Sequence, residues 1–266
     1  MATVRIHGLL GAPNVHVLHD ERGTYSGRMG YLWRAFRLSQ MDWEYAVYQM
    51  RHLAFVQPSR VYRAVRYHQQ TKNQWSRDDP AFMVLLAGMM AGTAVLWAVS
   101  APGALTLGAV VGAVARRVVV ELYVAGAVMA TALWYVVNQW LVMRTRLTQN
   151  GSVRWRYGAA ADGMRPVEWL YALDVHCNAF FGGVFVPLYV LQLPLLPLLK
   201  RSAWLSNGWY AGALSYYCYI TWLGYDLLPG VESAHWLLAP IAIVALVALL
   251  LALVSDVNLA RWITRR

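Results

Sequence analysis

The residues with the most potential for chemistry form one short polar group in an apolar part of the chain. Asp174, His176 and Asn178 alternate within five residues at the start of a long apolar stretch. On a helix, Asp174 and Asn178 share a face and His176 points elsewhere. Because ionisable side chains at membrane depth commonly mark functional sites, these residues are candidates for half of a metal site or a proton-handling group. The alternative is that Asp174 and Asn178 pin a helix entrance while His176 satisfies a polar neighbour. One His without Cys or Glu at ligand spacing is weak evidence for zinc, so we expect no metal and no cofactor.

Other polar residues within apolar stretches have simpler interpretations. Glu121 follows Arg117 by four residues, and this spacing predicts an ion pair along one helix. We interpret Asp226 as an interfacial or loop-capping acid. Asn138 and Gln192 are expected to form hydrogen bonds between helices.

Sequence motifs of common enzymes are missing from the chain. It has no GxSxG elbow, no HExxH and no glycine-rich phosphate loop. We therefore expect a non-enzymatic protein. The alternative is an intramembrane enzyme or a lipid- or ion-handling protein that uses Asp174, His176 and Glu121, which requires these three residues to converge on one cavity.

Composition assigns the whole chain to the membrane proteins. Of its 266 residues 59% are hydrophobic and 14% are charged, whereas a soluble domain carries about a quarter charged residues. The 13 Trp and 16 Tyr residues are typical of membrane–water interfaces. A disulfide scaffold is excluded because the chain has just two cysteines, Cys177 and Cys218, and both lie in apolar stretches without metal-ligand spacing.

Five apolar stretches are long enough to cross a bilayer, which takes about 20 residues. They cover residues 80–100, 118–143, 179–199, 211–228 and 236–254. Asp79 and Pro80 provide a cap and a first turn for the first of them. Residues 103–115 are apolar but too short to cross alone, so we expect them to approach the second span at the interface. The predicted fold is all-α: a transmembrane domain of about five helices (80–254), preceded by cytosolic amphipathic helices (27–79) and followed by a basic tail (255–266).

The charge distribution predicts a cytosolic N-terminus. Residues 1–79 contain 11 of the 23 Lys and Arg residues. With the N-terminus inside, the cytosolic side collects 16 of them and the other side 7. An excess of Lys and Arg marks the cytosolic side of a membrane protein.

The basic N-terminal part is the predicted docking region. Residues 1–26 look irregular, and apolar residues at helical spacing follow between residues 27 and 56. Such helices either lie in the headgroup plane of an anionic leaflet or pack against the spans. RNA binding is a further alternative, although no zinc knuckle, KH loop or RNP motif supports it. The candidate residues for docking a partner or the membrane are Arg34, Arg37, Arg60, Arg63, Arg66, Lys72, Trp75 and Arg77.

Several blocks of sequence resemble one known family. They are QMDWEYA (40–46), QPSRVYR (57–63), KNQWSRDDPAF (72–82), VEW with Tyr171 followed by DVHCNAF (174–180), and TWLGY (221–225). In this order they are similar to the UNC-fifty-like (uncoordinated-fifty) family of Golgi multi-pass membrane proteins. The motif residues to which the resemblance gives a structural role are Asp78, Asp79, Pro80, Asp174, His176, Asn178, Gly224 and Tyr225.

This resemblance implies a location and partners that the residues themselves do not indicate. It implies a Golgi membrane protein in vesicle-mediated protein transport that supports trafficking and assembly of cell-surface receptors of the nicotinic acetylcholine receptor type. It also implies association with guanine-nucleotide exchange factors for Arf GTPases. Descriptions of the family further suggest an RNA-binding role at the inner nuclear membrane, which we keep as the weaker alternative.

Overall fold

The fold is taken from a computed structural model of the chain. It describes residues 41–55, 57–72, 74–100, 106–142, 166–254 and 257–264, together with the backbone of two strands between residues 144 and 157. The predictions for residues 1–26 and for Arg34 and Arg37 lie outside the described residues.

The described residues form eight helices and one hairpin. The helices are α1 (Trp43–Ala54), α2 (Pro58–Lys72), α3 (Ala81–Ser100), α4 (Leu107–Leu141), α5 (Trp169–Leu199), α6 (Ala203–Asp226), α7 (Ala234–Leu253) and α8 (Leu259–Ile263). Strands β1 (Arg144–Gln149) and β2 (Ser152–Tyr157) form an antiparallel hairpin between α4 and α5. Four of these helices (α3, α4, α5 and α7) are long and apolar enough to cross a membrane. The predicted all-α, polytopic membrane fold is confirmed, with the short hairpin as a local exception.

Helix α6 contains the remaining predicted span. Its 24 residues extend over about 36 Å, which is sufficient to cross a bilayer. It is less apolar than the other four, but its polar Ser206, Asn207 and Thr221 are buried against the protein. Because α6 connects the last residue of α5 to the first residue of α7 at opposite ends of the bundle, we treat it as the fifth crossing helix.

Helix α4 begins earlier than the sequence pattern suggests. Leu107–Ala115 is helical and continues without interruption to Leu141, so the expectation of a separate interfacial segment before residue 118 is wrong. Within this helix Arg116–Val124 and Val137–Leu141 have π-helical turns, in which each amide bonds to the carbonyl five residues earlier. Because α4 begins at Leu107, Arg116 and Arg117 lie inside the helix instead of in a preceding loop.

The bundle has two distinguishable ends. Residues 74–80, the first turns of α5 and the last turn of α6 meet at one end, where the Tyr171 hydroxyl donates to the Gly224 carbonyl over 2.5 Å. We call this the N-terminal end. At the C-terminal end, the Asn207 amide donates to the Val257 carbonyl over 2.8 Å, and Asn258 donates to the Leu199 carbonyl over 2.8 Å. The segment after α7 is therefore fixed at the end opposite residues 74–80.

Helices α1 and α2 pack directly against the crossing helices. The Tyr216 hydroxyl of α6 donates to the Leu53 carbonyl at the last turn of α1 over 2.8 Å. Leu53 and Val61 are completely buried, and Tyr62 is nearly so. Of the two arrangements expected for this region, packing on the spans is the one observed for residues 43–72.

Candidate functional site

Arg77 is the centre of a polar cluster at the N-terminal end. Its backbone amide donates to Asp174 Oδ2 over 2.6 Å, and its Nη2 donates to Asn178 Oδ1. Its Nε lies 4.0 Å from Asp174 Oδ1, and the guanidinium lies 4.0 Å above the Phe82 ring. Only 10% of the Arg77 side chain and 13% of the Asp174 side chain are exposed. We call Arg77, Asp79, Asp174 and Asn178 the Arg77 hub; Asp174 and Asn178 pin the first turns of α5 to the loop before α3.

Asp79 extends this hub to two helix starts. Its Oδ1 accepts from the Ala81 amide over 2.8 Å and its Oδ2 accepts from the Asp42 amide over 2.6 Å. The Asp42 carboxylate in turn caps α1 by accepting from the Tyr45 amide over 2.9 Å. One side chain therefore orients α1 relative to α3.

Lys72 and Asp78 form an ion pair on the outer side of the same loop. Lys72 Nζ lies 2.7 Å from Asp78 Oδ2, with both side chains partly exposed. Trp75 packs edge-on against Tyr171, with ring centroids 6.2 Å apart. These contacts hold the loop in place, and the carbonyl of the buried Pro80 accepts from the Val84 amide of α3 over 3.0 Å.

His176 is a structural residue between three helices. Its Nδ1 lies 2.8 Å from the Tyr217 hydroxyl of α6, and a Cβ added at Gly126 of α4 would be 3.4 Å from its Nε2. The imidazole is buried. This is the neighbour-satisfying arrangement that the sequence left open as an alternative to a metal or proton site.

Gly224 and Tyr225 allow α5, α6 and α2 to approach closely. A Cβ at Gly224 would lie 2.8 Å from both methyl carbons of Val175 and 3.0 Å from the Tyr62 hydroxyl. Tyr225 is fully buried, edge-on to Tyr171 at 6.2 Å. Tyr62 and Tyr171 are packing partners that the sequence did not predict, because nothing in their spacing indicates this contact.

Two further polar residues connect neighbouring segments of the bundle. Gln192 of α5 donates to the Tyr210 hydroxyl of α6 over 2.7 Å, which confirms the expected bond between helices. Asn138 of α4 donates to the Val167 carbonyl over 3.1 Å and accepts from the Val167 amide over 2.9 Å, so its partner is the backbone just before α5. Asp226 is exposed at the last residue of α6.

Glu121 forms a different ion pair from the predicted one. Its Oε1 lies 3.6 Å from Arg116 Nε, and its Oε2 accepts from the Tyr189 hydroxyl over 2.7 Å. The predicted pairing with Arg117 assumed α-helical turns. In the π-helical segment residues five apart share a face, and this places Arg116 instead of Arg117 beside Glu121.

The three residues of the intramembrane-enzyme alternative do not meet. Asp174 contacts Arg77, His176 contacts Tyr217, and Glu121 contacts Tyr189. Tyr189 follows Asp174 by 15 residues in α5, or about 22 Å along the helix. No group of three or more His, Cys, Asp or Glu residues suited to a metal ion occurs in the part of the chain that the structure describes. The common cavity that this alternative requires is therefore not formed by these residues.

Three arginines of α2 form an exposed basic surface. Arg60, Arg63 and Arg66 are spaced by three residues and are all exposed, while Val61 and Tyr62 are buried against the bundle. We call these three arginines the basic stripe. Of the remaining docking candidates that the structure describes, Arg77 is buried, Trp75 is packed on Tyr171 and Lys72 is paired with Asp78, so we leave them out of the docking surface.

His68 on the same helix adds no charge to this surface at neutral pH. Burial, and secondly the nearby Lys72 ammonium, lower the pKa of His68 below its ordinary value. The imidazole is therefore mostly neutral around pH 7, and the charge of the basic stripe comes from its three arginines.

Comparisons with known proteins point to one family. The chain matches the family model described as the UNC-50 family over residues 31–266. It is 41% identical over 217 residues to the protein unc-50 homolog of Dictyostelium discoideum, covering 80% of this chain and 77% of that protein. It is 37% identical over 212 residues to the GMH1 homolog of Schizosaccharomyces pombe, covering 78% of this chain and 84% of that protein. It is 35% identical over 237 residues to the human unc-50 homolog, covering 85% of this chain and 82% of that protein. No solved structure matches the chain. The chain belongs to the UNC-50 family.

Proposed function

We propose that this protein is a non-enzymatic Golgi membrane protein of vesicle-mediated transport that docks guanine-nucleotide exchange factors for Arf GTPases through its basic stripe. The observation that supports this proposal most directly is the exposed row of Arg60, Arg63 and Arg66 on a helix held against the bundle. In this account the five crossing helices anchor the surface. Recruitment of exchange factors then promotes the transport and surface assembly of receptor cargo, including receptors of the nicotinic acetylcholine type.

The distribution of Lys and Arg favours a cytosolic position for this stripe. By their position in the sequence, sixteen Lys and Arg residues belong to the segments before α3 and between α4 and α5. Because Arg116 and Arg117 lie inside α4, five remain in the segments between α5 and α6 and after α7: Lys200, Arg201, Arg261, Arg265 and Arg266. This contrast is larger than the sequence pattern alone suggested, and it supports a cytosolic N-terminal end.

The stripe suits an acidic partner that approaches from the membrane surface. Each Lys or Arg close to an anionic leaflet contributes about 1 kcal/mol of attraction. The buried Val61 and Tyr62 hold α2 against the bundle, so the arginines keep their spacing while they meet the partner. Such a fixed cationic surface increases the rate of encounter and helps select acidic partners.

Charge reversal tests this proposal. We would change Arg60, Arg63 and Arg66 together to Glu and measure the recovery of Arf exchange factors with the tagged protein from detergent-solubilised Golgi membranes. The matched control is Arg201→Glu, an exposed arginine at the opposite end. We expect recovery to fall at least tenfold for the triple variant and to remain unchanged for the control, with both proteins still in the Golgi. Equal recovery with both variants would contradict the proposal.

The orientation on which this proposal depends can be tested separately. Arg63→Cys and Arg201→Cys, each in a Cys218→Ser background that leaves only the buried Cys177, would be treated with a membrane-impermeant maleimide in sealed Golgi vesicles. We expect Arg63→Cys to react at once and Arg201→Cys to react only after permeabilisation. The reverse pattern would place the basic stripe in the lumen.

A further inference from the structure

Arg117 lies inside a crossing helix and forms no ion pair within 4.0 Å among the described residues, with Glu121 acting on it only from a greater distance. It lies ten residues after Leu107, about 15 Å along α4. Its guanidinium carbon is 4.5 Å from the centre of the Tyr189 ring on α5 and 5.7 Å from the Trp97 ring on α3. Its Nη1 is buried and has no hydrogen-bond partner among the described residues. The two rings back the guanidinium while one of its donors stays unused.

The acid nearest to Arg117, Glu121, makes its hydrogen bond and its ion pair with other residues. Glu121 accepts from the Tyr189 hydroxyl over 2.7 Å and pairs with Arg116 at 3.6 Å. Within the part of the chain that the structure describes, no carboxylate oxygen lies within 4.0 Å of the Arg117 nitrogens. With two arginines and one glutamate, the cluster carries one net positive charge. It is therefore complementary to a singly charged anion.

The unused donor and the surrounding surface together indicate the chemistry of that anion. Leaving a buried donor of a charged group unpaired costs more than leaving a neutral donor unpaired, so an acceptor oxygen at Nη1 would be strongly favoured. Guanidinium groups match the oxygens of phosphate and carboxylate. On the same part of α4, Val119, Val120 and Val124 are each more than half exposed, which is the surface that acyl chains cover in a membrane. A ligand with both a phosphate and acyl chains satisfies both observations.

We propose that Arg117, backed by Trp97 and Tyr189, binds the phosphate of a phospholipid whose acyl chains lie along the exposed valines of α4. Trp97 also keeps its position through a 2.9 Å bond from its indole N–H to the Tyr189 carbonyl, so α3 and α5 hold the two rings together. Tyr189 makes two contacts here: its ring lies against the Arg117 guanidinium, and its hydroxyl donates to Glu121 Oε2. This site is independent of the docking of exchange factors at the N-terminal end.

The test compares ligands and variants in purified protein. Native mass spectrometry would measure binding of dioleoylphosphatidylglycerol to the detergent-purified full chain and to the variants Arg117→Gln, Arg117→Lys and Arg201→Gln. Dioleoylglycerol, which has the same chains without phosphate, and inorganic phosphate serve as the ligand controls. We expect Arg117→Gln to bind the phospholipid at least about tenfold more weakly, as loss of one charge-assisted hydrogen bond implies, and Arg201→Gln to bind like the wild type. Arg117→Lys keeps the positive charge but lacks the planar guanidinium group. Its affinity for the phospholipid should therefore lie between those of Arg117→Gln and the wild type.

Each outcome decides the proposal. Unchanged phospholipid binding by Arg117→Gln would overturn it, as would dioleoylglycerol binding as tightly as the phospholipid to the wild type. Inorganic phosphate that displaces the phospholipid at equal concentration would show that the site takes a free anion, which would overturn the lipid assignment. If Arg117→Gln does not purify, the comparison of the three ligands on the wild-type protein still decides between these outcomes.

Discussion

Replacing Arg77 by methionine should destabilise the protein far more than the same change at an exposed arginine. Arg77→Met removes the bond to Asn178, the charge beside Asp174 and the stacking on Phe82. It leaves the Asp174 carboxylate, with 13% of its side chain exposed, without a cation within 4.0 Å among the described residues. The backbone amide of residue 77 still donates to Asp174, so one bond to the carboxylate survives.

The expected magnitude follows from these losses. Removing one partner of a buried ion pair costs about 3–5 kcal/mol, and we take the lower limit, about 3 kcal/mol, because the backbone bond remains. For soluble domains of similar size, each kcal/mol shifts the unfolding midpoint by about 2–4 °C, so a decrease of roughly 6–12 °C is expected. The matched control Arg63→Met, on an exposed side chain, should change stability by no more than about 0.5 kcal/mol.

Cys177 provides the readout for this prediction. It is 2% exposed, so in a Cys218→Ser background a thiol-reactive fluorogenic dye reports the exposure of the core on heating. A second change, Asp174→Asn, removes the uncompensated carboxylate and should restore part of the midpoint lost in Arg77→Met. Equal midpoints for Arg77→Met and Arg63→Met, or no recovery in the double variant, would refute the reasoning that the hub is an electrostatic unit.

Three further predictions test other parts of the fold. A Cβ at Gly183 would lie 2.5 Å from the Tyr217 backbone nitrogen, so Gly183→Ala should reduce the amount of folded protein severalfold in fluorescence-detected gel filtration. Gly212 has open space around it, so Gly212→Ala should leave that amount unchanged. Asp79→Ala loses two backbone hydrogen bonds and should lower the free energy of unfolding by about 1–2 kcal/mol in the dye assay, unlike the conservative Asp79→Asn. Asn207→Ala loses both bonds to the segment after α7 and should speed tryptic cleavage there without lowering the midpoint; unchanged cleavage would mean that these bonds do not hold the segment.

The length of the apolar stretches made the membrane fold predictable. The α3 helix begins at Ala81, one residue after the predicted start, because Asp79 supplies a cap that the sequence displays directly. Asp174 and Asn178 were correctly placed on one helix face, since four residues make about one turn. Their partner Arg77 lies 97 residues away from Asp174 in sequence, and no local pattern specifies such a distant contact.

The sequence predictions that the structure corrects are those in which the backbone geometry differs from the geometry that the sequence rule assumes. The Glu121 ion pair shifted from Arg117 to Arg116 because the helix there has π-helical turns, which the i, i+4 rule does not consider. Residues 107–115 join α4 because the Thr106 hydroxyl caps their first turn by accepting from the Ala109 amide, and the helix then continues without interruption to Leu141. Arg77 looked like one more basic surface residue, since burial of a charge depends on partners from other helices. The contacts inside the Arg77 hub could therefore not be predicted from the sequence, whereas the exposed arginines of the basic stripe could.

The most direct test of the docking proposal is site-specific photocrosslinking in intact Golgi membranes. A photoreactive amino acid would replace Arg63 in the basic stripe or, as the control, Arg201 at the opposite end, and crosslinked partners would be identified after irradiation. The account predicts that an Arf exchange factor is captured from position 63 and not from position 201. Capture from neither position, or equally from both, would contradict it.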